Sequence, residues 1–257
     1  MNLDISQLQQ LIAAWLWPMA RVTGLVLVAP VFGATAVPVR VRVGLVLVLT
    51  MVLAPLTRLP AHVDPLSLSS MLVVCQQVIT GAAIGFVLRL AFEAVALGGT
   101  LIANTMGLSF AMVVDPQQGT QTSAMSQLYM VMATMLFLAL NGHLALIQLL
   151  AQGMSGHNLA QLHIGQDDIW QLLTWALHLF NGAVRVALPA LIALLIVNIG
   201  FGAISRAAPS MNLFAVGFPI TLSLGLVVVW MSLRVLPGAF EALLDTASGL
   251  MRHLAGL

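Results

Sequence analysis

Arg89 and Glu93 stand four residues apart inside a long apolar run. On a helix that spacing puts both side chains on one face, close enough to pair. Two kinds of chemistry suit such a pair: an internal salt bridge that makes the segment less lipophilic, or one step of a proton relay. The salt bridge is the favoured reading. Arg21 and Arg185 also lie within apolar runs but have no local partner. A charge at the centre of a bilayer costs about 2.5–3.5 kcal/mol on insertion scales, so each must reach another helix, a carbonyl or water.

Other chemistries find no support. His62, His143, His157, His163, His178 and His253 make no HExxH and no Cys/His ligand spacing. The run Gly107–Ala111 reads GLSFA, with Ala111 where a nucleophile elbow needs Gly, and it is not set between a strand and a helix. Asp115, Asp167 and Asp168 fall in connections, whereas an intramembrane aspartyl protease needs two Asp within helices. The sequence therefore predicts no enzyme, no metal and no cofactor.

One connection is unusual. Residues 107–125 read GLSFAMVVDPQQGTQTSAM, with Asp115 as the only charge. Asp115 before Pro116 marks a turn, because a residue preceding proline is pushed out of helical geometry. Gln117, Gln118, Thr120, Gln121, Thr122 and Ser123 can satisfy backbone groups without burying charge. An apolar arm followed by a neutral polar arm suits a protein-lined cavity, the setting in which irregular backbone is allowed at membrane depth. Two readings stay open on these rules: a loop that occludes such a cavity, and a buried structural connector. Six of the fourteen Met residues cluster here: Met106, Met112, Met125, Met130, Met132 and Met135. Unbranched, polarizable Met can line a surface that changes shape. For Met130, Met132 and Met135, ordinary core filling is the favoured reading; Met112 differs in lying within the loop beside Phe110.

The elements that position these groups follow from composition. Of 257 residues, 60% are hydrophobic and 7% charged, with a mean hydropathy of +1.04. So few charges cannot cover a soluble domain of this size, so the chain is an all-α integral membrane protein. All nine basic residues are Arg, and the net charge of +1 gives no sign of a nucleic-acid partner. The single Cys75 excludes a disulfide within the chain. Asp4, and the lack of Arg before the first apolar run, argue against a cleaved signal peptide.

A spanning helix needs about 20 apolar residues. Candidates are Leu11–Phe32, Val41–Leu56, Leu68–Thr105, Met125–Leu150, Trp170–Gly202 and Met211–Leu236, about six segments by that length. The third is too long for one ordinary span, and Gly98 and Gly99 predict a bend or hairpin in it. Pro18, Pro30, Pro55, Pro189 and Pro219 predict kinks or ends. Residues 1–10 read as a short amphipathic lead, with Asp4 or Ser6 as N-cap. Residues 11–236 hold the apolar helices, and the 151–168 connection reads as a solvated loop. Residues 237–257 place Phe240, Leu243, Leu244, Ala247, Met251 and Leu254 at helical spacing, an amphipathic helix that packs rather than senses lipid. Arg falls on both sides of the membrane in either orientation, so the positive-inside count fixes no topology.

Four runs carry a family resemblance: PVFGATAVPVRVRVGL at 30–45, MGLSFAMVVDP at 106–116, LFLALNGH at 136–143 and SRAAPSMNLFAVGFPITL at 205–222. Together, and in family order, they resemble the FliR/SctT family of type III export proteins, its flagellar FliR branch in particular. The resemblance implies one 1–257 membrane domain acting as a core subunit of the flagellar export gate in the bacterial inner membrane, at the flagellar basal body. It implies FliP and FliQ as gate partners, FlhB and FlhA as neighbours, and unfolded flagellar proteins as substrates, with membrane lipid around the assembly. It also implies a helical stack raised above the bilayer plane. Gly107, Phe110, Met112, Val113, Asp115 and Pro116 match the family's channel plug, with Phe110, Met112 and Val113 as its occluding arm. An injectisome-type gate subunit is the alternative. A secondary transporter ranks lower, because the sequence has no internal repeat.

Overall fold

The computed structural model describes residues 5–34, 37–57, 67–108, 123–156, 165–207 and 213–257. Every regular element among them is helical: α1 Ile5–Val28, α2 Val39–Leu53 continued by a 3-10 turn at Ala54–Leu56, α3 Leu68–Thr105, α4 Ala124–Ala139, α5 Gly142–Gly156, α6 Gln166–Trp175, α7 Leu177–Ala207, α8 Leu213–Ser232 and α9 Leu236–Ala255. Four stretches are long and apolar enough to cross a membrane: Gln9–Val28, Val39–Leu56, Leu68–Thr105 and Gln166–Ile204. Two bent pairs, α4 with α5 and α8 with α9, raise the number to six. The chain is an all-α membrane protein.

Several local expectations change. The third apolar run is one helix of 38 residues and is neither a hairpin nor broken at Gly98 and Gly99. Those glycines serve contact instead. A β-carbon on Gly98 would lie 3.1 Å from the Ala183 carbonyl oxygen, and one on Gly99 would lie 2.9 Å from that of Met125. Pro18, Pro189 and Pro219 sit inside helices, since a missing amide costs one ladder bond while packing holds the flanking turns. Pro30 follows the end of α1 and Pro55 lies in the 3-10 turn. The break comes instead at Asn141, whose φ of 56° is left-handed, with α4 and α5 bent by 61°. Asn is the residue type besides Gly that tolerates this geometry. The 151–168 connection is shorter than expected, because α5 runs to Gly156 and α6 begins at Gln166. Ser6 lies inside α1; Asp4 is outside the described residues. Of the predicted core methionines, Met130 and Met132 are half-buried, but Met135 is 61% exposed.

The contacts divide the chain into two compact units. The first comprises residues 1–90, 137–176 and 245–257. Here α1 meets the first half of α3 at glycines. A β-carbon on Gly24 would lie 2.9 Å from the Ala82 amide, and one on Gly85 would lie 2.9 Å from the Leu25 carbonyl oxygen. Small residues let helix backbones touch where lipid offers no hydrophobic drive for association. α2 packs on α1 and α5. Trp17, Leu25, Leu53, Ile84, Leu88 and Leu150 are fully buried.

The second unit comprises residues 91–136 and 177–244. Gly182 of α7 accepts the Leu243 side chain of α9 and Ala94 of α3. Phe92 and Phe240 pack edge to face, 5.3 Å between centroids. Ser126 Oγ donates to the Ala96 carbonyl at 3.0 Å, and the Tyr129 and Ser232 hydroxyls bond at 2.8 Å, joining α4 to α3 and α8. On α9, Phe240 and Leu243 are buried and Leu244 half-buried in this unit, while Ala247, Met251 and Leu254, of the first unit, are buried as well.

Candidate channel-closing segment and membrane-embedded charges

The 107–125 connection departs from α3 through a defined turn. Gly107 has φ 84°; its amide donates to the Asn104 carbonyl and that of Leu108 to the Ala103 carbonyl, both at 3.1 Å. This pair of bonds around a left-handed residue is a Schellman closure, which satisfies carbonyls at a helix end and favours Gly at the turning position. Just before it, Met106 is buried against Gly225 of α8, where a β-carbon would lie 2.6 Å from the methionine Cε. Asn198 Nδ2 of α7 donates to the Thr105 carbonyl at 3.5 Å. On the far side, Ser123 Oγ accepts the Ser126 amide at 3.1 Å, an N-cap that starts α4. Of the candidate plug residues, Gly107 is thus the turn itself. Phe110, Met112, Val113, Asp115 and Pro116 lie outside the described residues.

The four intramembrane charges occupy different settings. Arg21 is wholly buried on α1, and its Nε donates to Gln77 Oε1 of α3 at 2.7 Å. It reaches another helix, as an isolated charge must. Arg89 is exposed and Glu93 half-buried on α3, one helical turn apart, and both have interaction partners. Arg185 is exposed on α7, between Val184 and Leu188, which are 46% and 47% exposed.

Sequence reasoning missed three pairings. Gln77 was not singled out as the partner of Arg21, since 56 residues separate them. The Tyr129–Ser232 bond spans 103 positions. Asp168, expected in a loop with Asp167, lies in the first turn of α6. It accepts the Gly165 amide at 2.8 Å through Oδ2, and its Oδ1 is 3.1 Å from His253 Nε2 of α9. An acidic residue three positions after Gly165 is a capping signal that was legible; the His253 contact was not. Among the described residues, no group of three or more His, Cys, Asp or Glu side chains could hold a metal ion.

The described residues thus define an all-helical integral membrane protein with long apolar helices. A family model described as "Bacterial export proteins, family 1" matches residues 12–247. The flagellar biosynthetic protein FliR of Pectobacterium carotovorum subsp. carotovorum is 32% identical over 95% of this chain and 93% of its own length. FliR of Escherichia coli K12 is 34% identical over 82% of this chain and 81% of its own. FliR of Bacillus subtilis 168 is 23% identical over 96% of each. The chain belongs to this bacterial export family, in its FliR branch. That membership gives it a role in the flagellar export apparatus.

Proposed function

We propose that this chain is a core subunit of the flagellar type III export gate, assembled with FliP and FliQ in the bacterial inner membrane, with FlhB and FlhA as neighbours, and conducting unfolded flagellar proteins. The observation that carries the assembly is helix length set against exposure. α3 has 38 residues, and α6 with α7 covers 39 from Gln166 to Ile204. At 1.5 Å per residue α3 is about 57 Å long and α7 by itself, with 31 residues, about 46 Å, both well beyond the roughly 30 Å of hydrocarbon in a bilayer. Yet large apolar side chains stay exposed along α6 and α7: Ile169 at 54%, Leu177 and Phe180 at 62%, Ile192 at 52% and Ile199 at 65%. Lipid covers about half to two-thirds of such a length. Protein neighbours must cover the rest, as in a multi-subunit gate standing partly outside the bilayer. Flagellar rather than injectisome membership rests on the names of the matched relatives.

The 107–122 segment is the closure of the channel in this reading, with Phe110, Met112 and Val113 as its occluding arm. A closure must stop ions yet be displaced cheaply, which favours apolar and amide contacts over buried ion pairs. The test is deletion of residues 110–114 in cells making the whole complex without substrate. Conductance or small-solute uptake should rise while pull-down shows intact assembly. An assembled deletion variant as tight as wild type returns the segment to a structural connector.

A further inference from the structure

The chain changes character at the end of α8. From Leu213 to Ser232 that helix holds 20 residues and no charge, a length of about 30 Å that matches the hydrocarbon thickness of a bilayer. Arg234 is the first charge after Arg206. α9 then carries Glu241, Asp245 and Arg252, each of them exposed. The two helices bend by 58° between Ser232 and Leu236. Bonds from the Arg234 and Val235 amides to the Met231 and Ser232 carbonyls, at 3.3 and 3.0 Å, fix the turn. The step from an uncharged helix to a charged one thus falls at a defined bend.

Two side chains mark that step. The Arg234 guanidinium carbon stands 5.5 Å from the centre of the Trp230 ring, within the range of a cation–π contact. Trp230 is 64% exposed, and Val227 and Met231 beside it on α8 and Val235 in the turn are exposed as well. The ring attracts the cation but offers no oxygen to its N–H groups. Among the described residues Arg234 makes no hydrogen bond or ion pair. Its five donors are therefore open to an acceptor outside the chain, and a planar fork of that kind suits phosphate oxygens taken two at a time.

We propose that Trp230 and Arg234 form a lipid-headgroup site at the membrane–water boundary, with the indole at headgroup level and the guanidinium on the phosphate of an anionic phospholipid. Tryptophan favours this layer because its ring is apolar and its N–H is not. A long basic side chain just past a helix end keeps its stem on apolar surface and its head in the polar layer. A carboxylate from another subunit would require neither the tryptophan nor an apolar length of one hydrocarbon thickness before it. An anionic lipid is preferred over a zwitterionic one because its headgroup brings no second cation beside Arg234. The contact requires only that α8 crosses the bilayer, so it stands or falls separately from the export-gate reading.

The experiment uses the purified, assembled complex in nanodiscs. The fluorescence of Trp230, taken as wild type minus Trp230→Phe, should be quenched by lipids brominated close to the headgroup and much less by lipids brominated at the chain ends. Headgroup-labelled phosphatidylglycerol should quench it more than equally labelled phosphatidylcholine. That preference should fall by about fivefold in Arg234→Gln, the effect of one basic residue at an anionic surface, while Arg234→Lys keeps part of it. If Arg234→Gln fails to assemble, the two labelled lipids on the wild-type complex decide. Three results overturn the proposal: no quenching of Trp230 in an assembled complex, which places a protein neighbour over the site; stronger quenching from the chain ends, which places the bend inside the bilayer; and no preference for phosphatidylglycerol, or one that Arg234→Gln leaves unchanged.

Discussion

The contact between α1 and α3 makes a sharp demand on one atom. A β-carbon on Gly81 would overlap the Arg21 carbonyl oxygen, and would lie 2.9 Å from the Arg21 carbonyl carbon and 3.0 Å from the Leu25 amide nitrogen. These are backbone atoms of a packed helix and cannot rotate away. In Gly81→Ala the two helices must therefore part, by on the order of 1 Å to restore ordinary contact distances. Overpacking of this kind costs about 1–3 kcal/mol and occasionally more. The same separation stretches the 2.7 Å bond from Arg21 to Gln77, and loss of a charged hydrogen bond adds about 1.5–3 kcal/mol. A total of about 3 kcal/mol or more corresponds to a fall of roughly 6–12 °C in melting temperature for a protein of this size. Gly44→Ala and Gly249→Ala are the controls. Both glycines are helical with nothing within 4 Å of the new carbon, so each should be neutral or gain about 0.4–1 kcal/mol. The assay is co-purification of the complex in detergent followed by thermal unfolding. A Gly81→Ala complex recovered at wild-type yield and melting within the range of the two controls refutes the close-packing argument.

Three further outcomes are expected. Tyr129→Phe removes one side of the buried 2.8 Å bond to Ser232, which keeps its bond to the Val229 carbonyl; the loss should be about 1 kcal/mol, read as a small drop in melting temperature without loss of assembly. Asp168→Ala removes the cap on Gly165 and the contact to His253. It should cost about 1 kcal/mol, with hydrogen exchange rising at the start of α6, whereas His253→Ala should leave that cap protected. Exchanging the charges of Arg89 and Glu93 together should retain more assembly than either single reversal if the pair is structural; Glu93→Gln that assembles normally yet abolishes proton-dependent export would assign it to proton transfer instead.

The sequence by itself determined the class. Sixty per cent hydrophobic residues and about six apolar runs leave an all-α membrane protein as the solution, because only helices and closed barrels satisfy every backbone group in lipid. The tail helix was legible because Phe240, Leu243, Ala247, Met251 and Leu254 recur at helical spacing, a local pattern. Gly107 was visible as part of a connection, and four motifs pointed to the family. The rest depended on which residues the fold brings together. Gly98 and Gly99 look like a bend in one dimension, yet they lie in an unbroken helix, with α7 and α4 pressed against them. Asn141 breaks the next run, which holds no proline, whereas α1, α7 and α8 continue through theirs. Proline's local penalty is fixed, but whether the helix continues through it depends on the packing of the flanking turns. Arg21 announced a need for a partner, and the identity of Gln77, 56 residues away, came only from α1 and α3 meeting. Hydrogen-bond need is a property of a residue, whereas its satisfaction is a property of the tertiary neighbourhood.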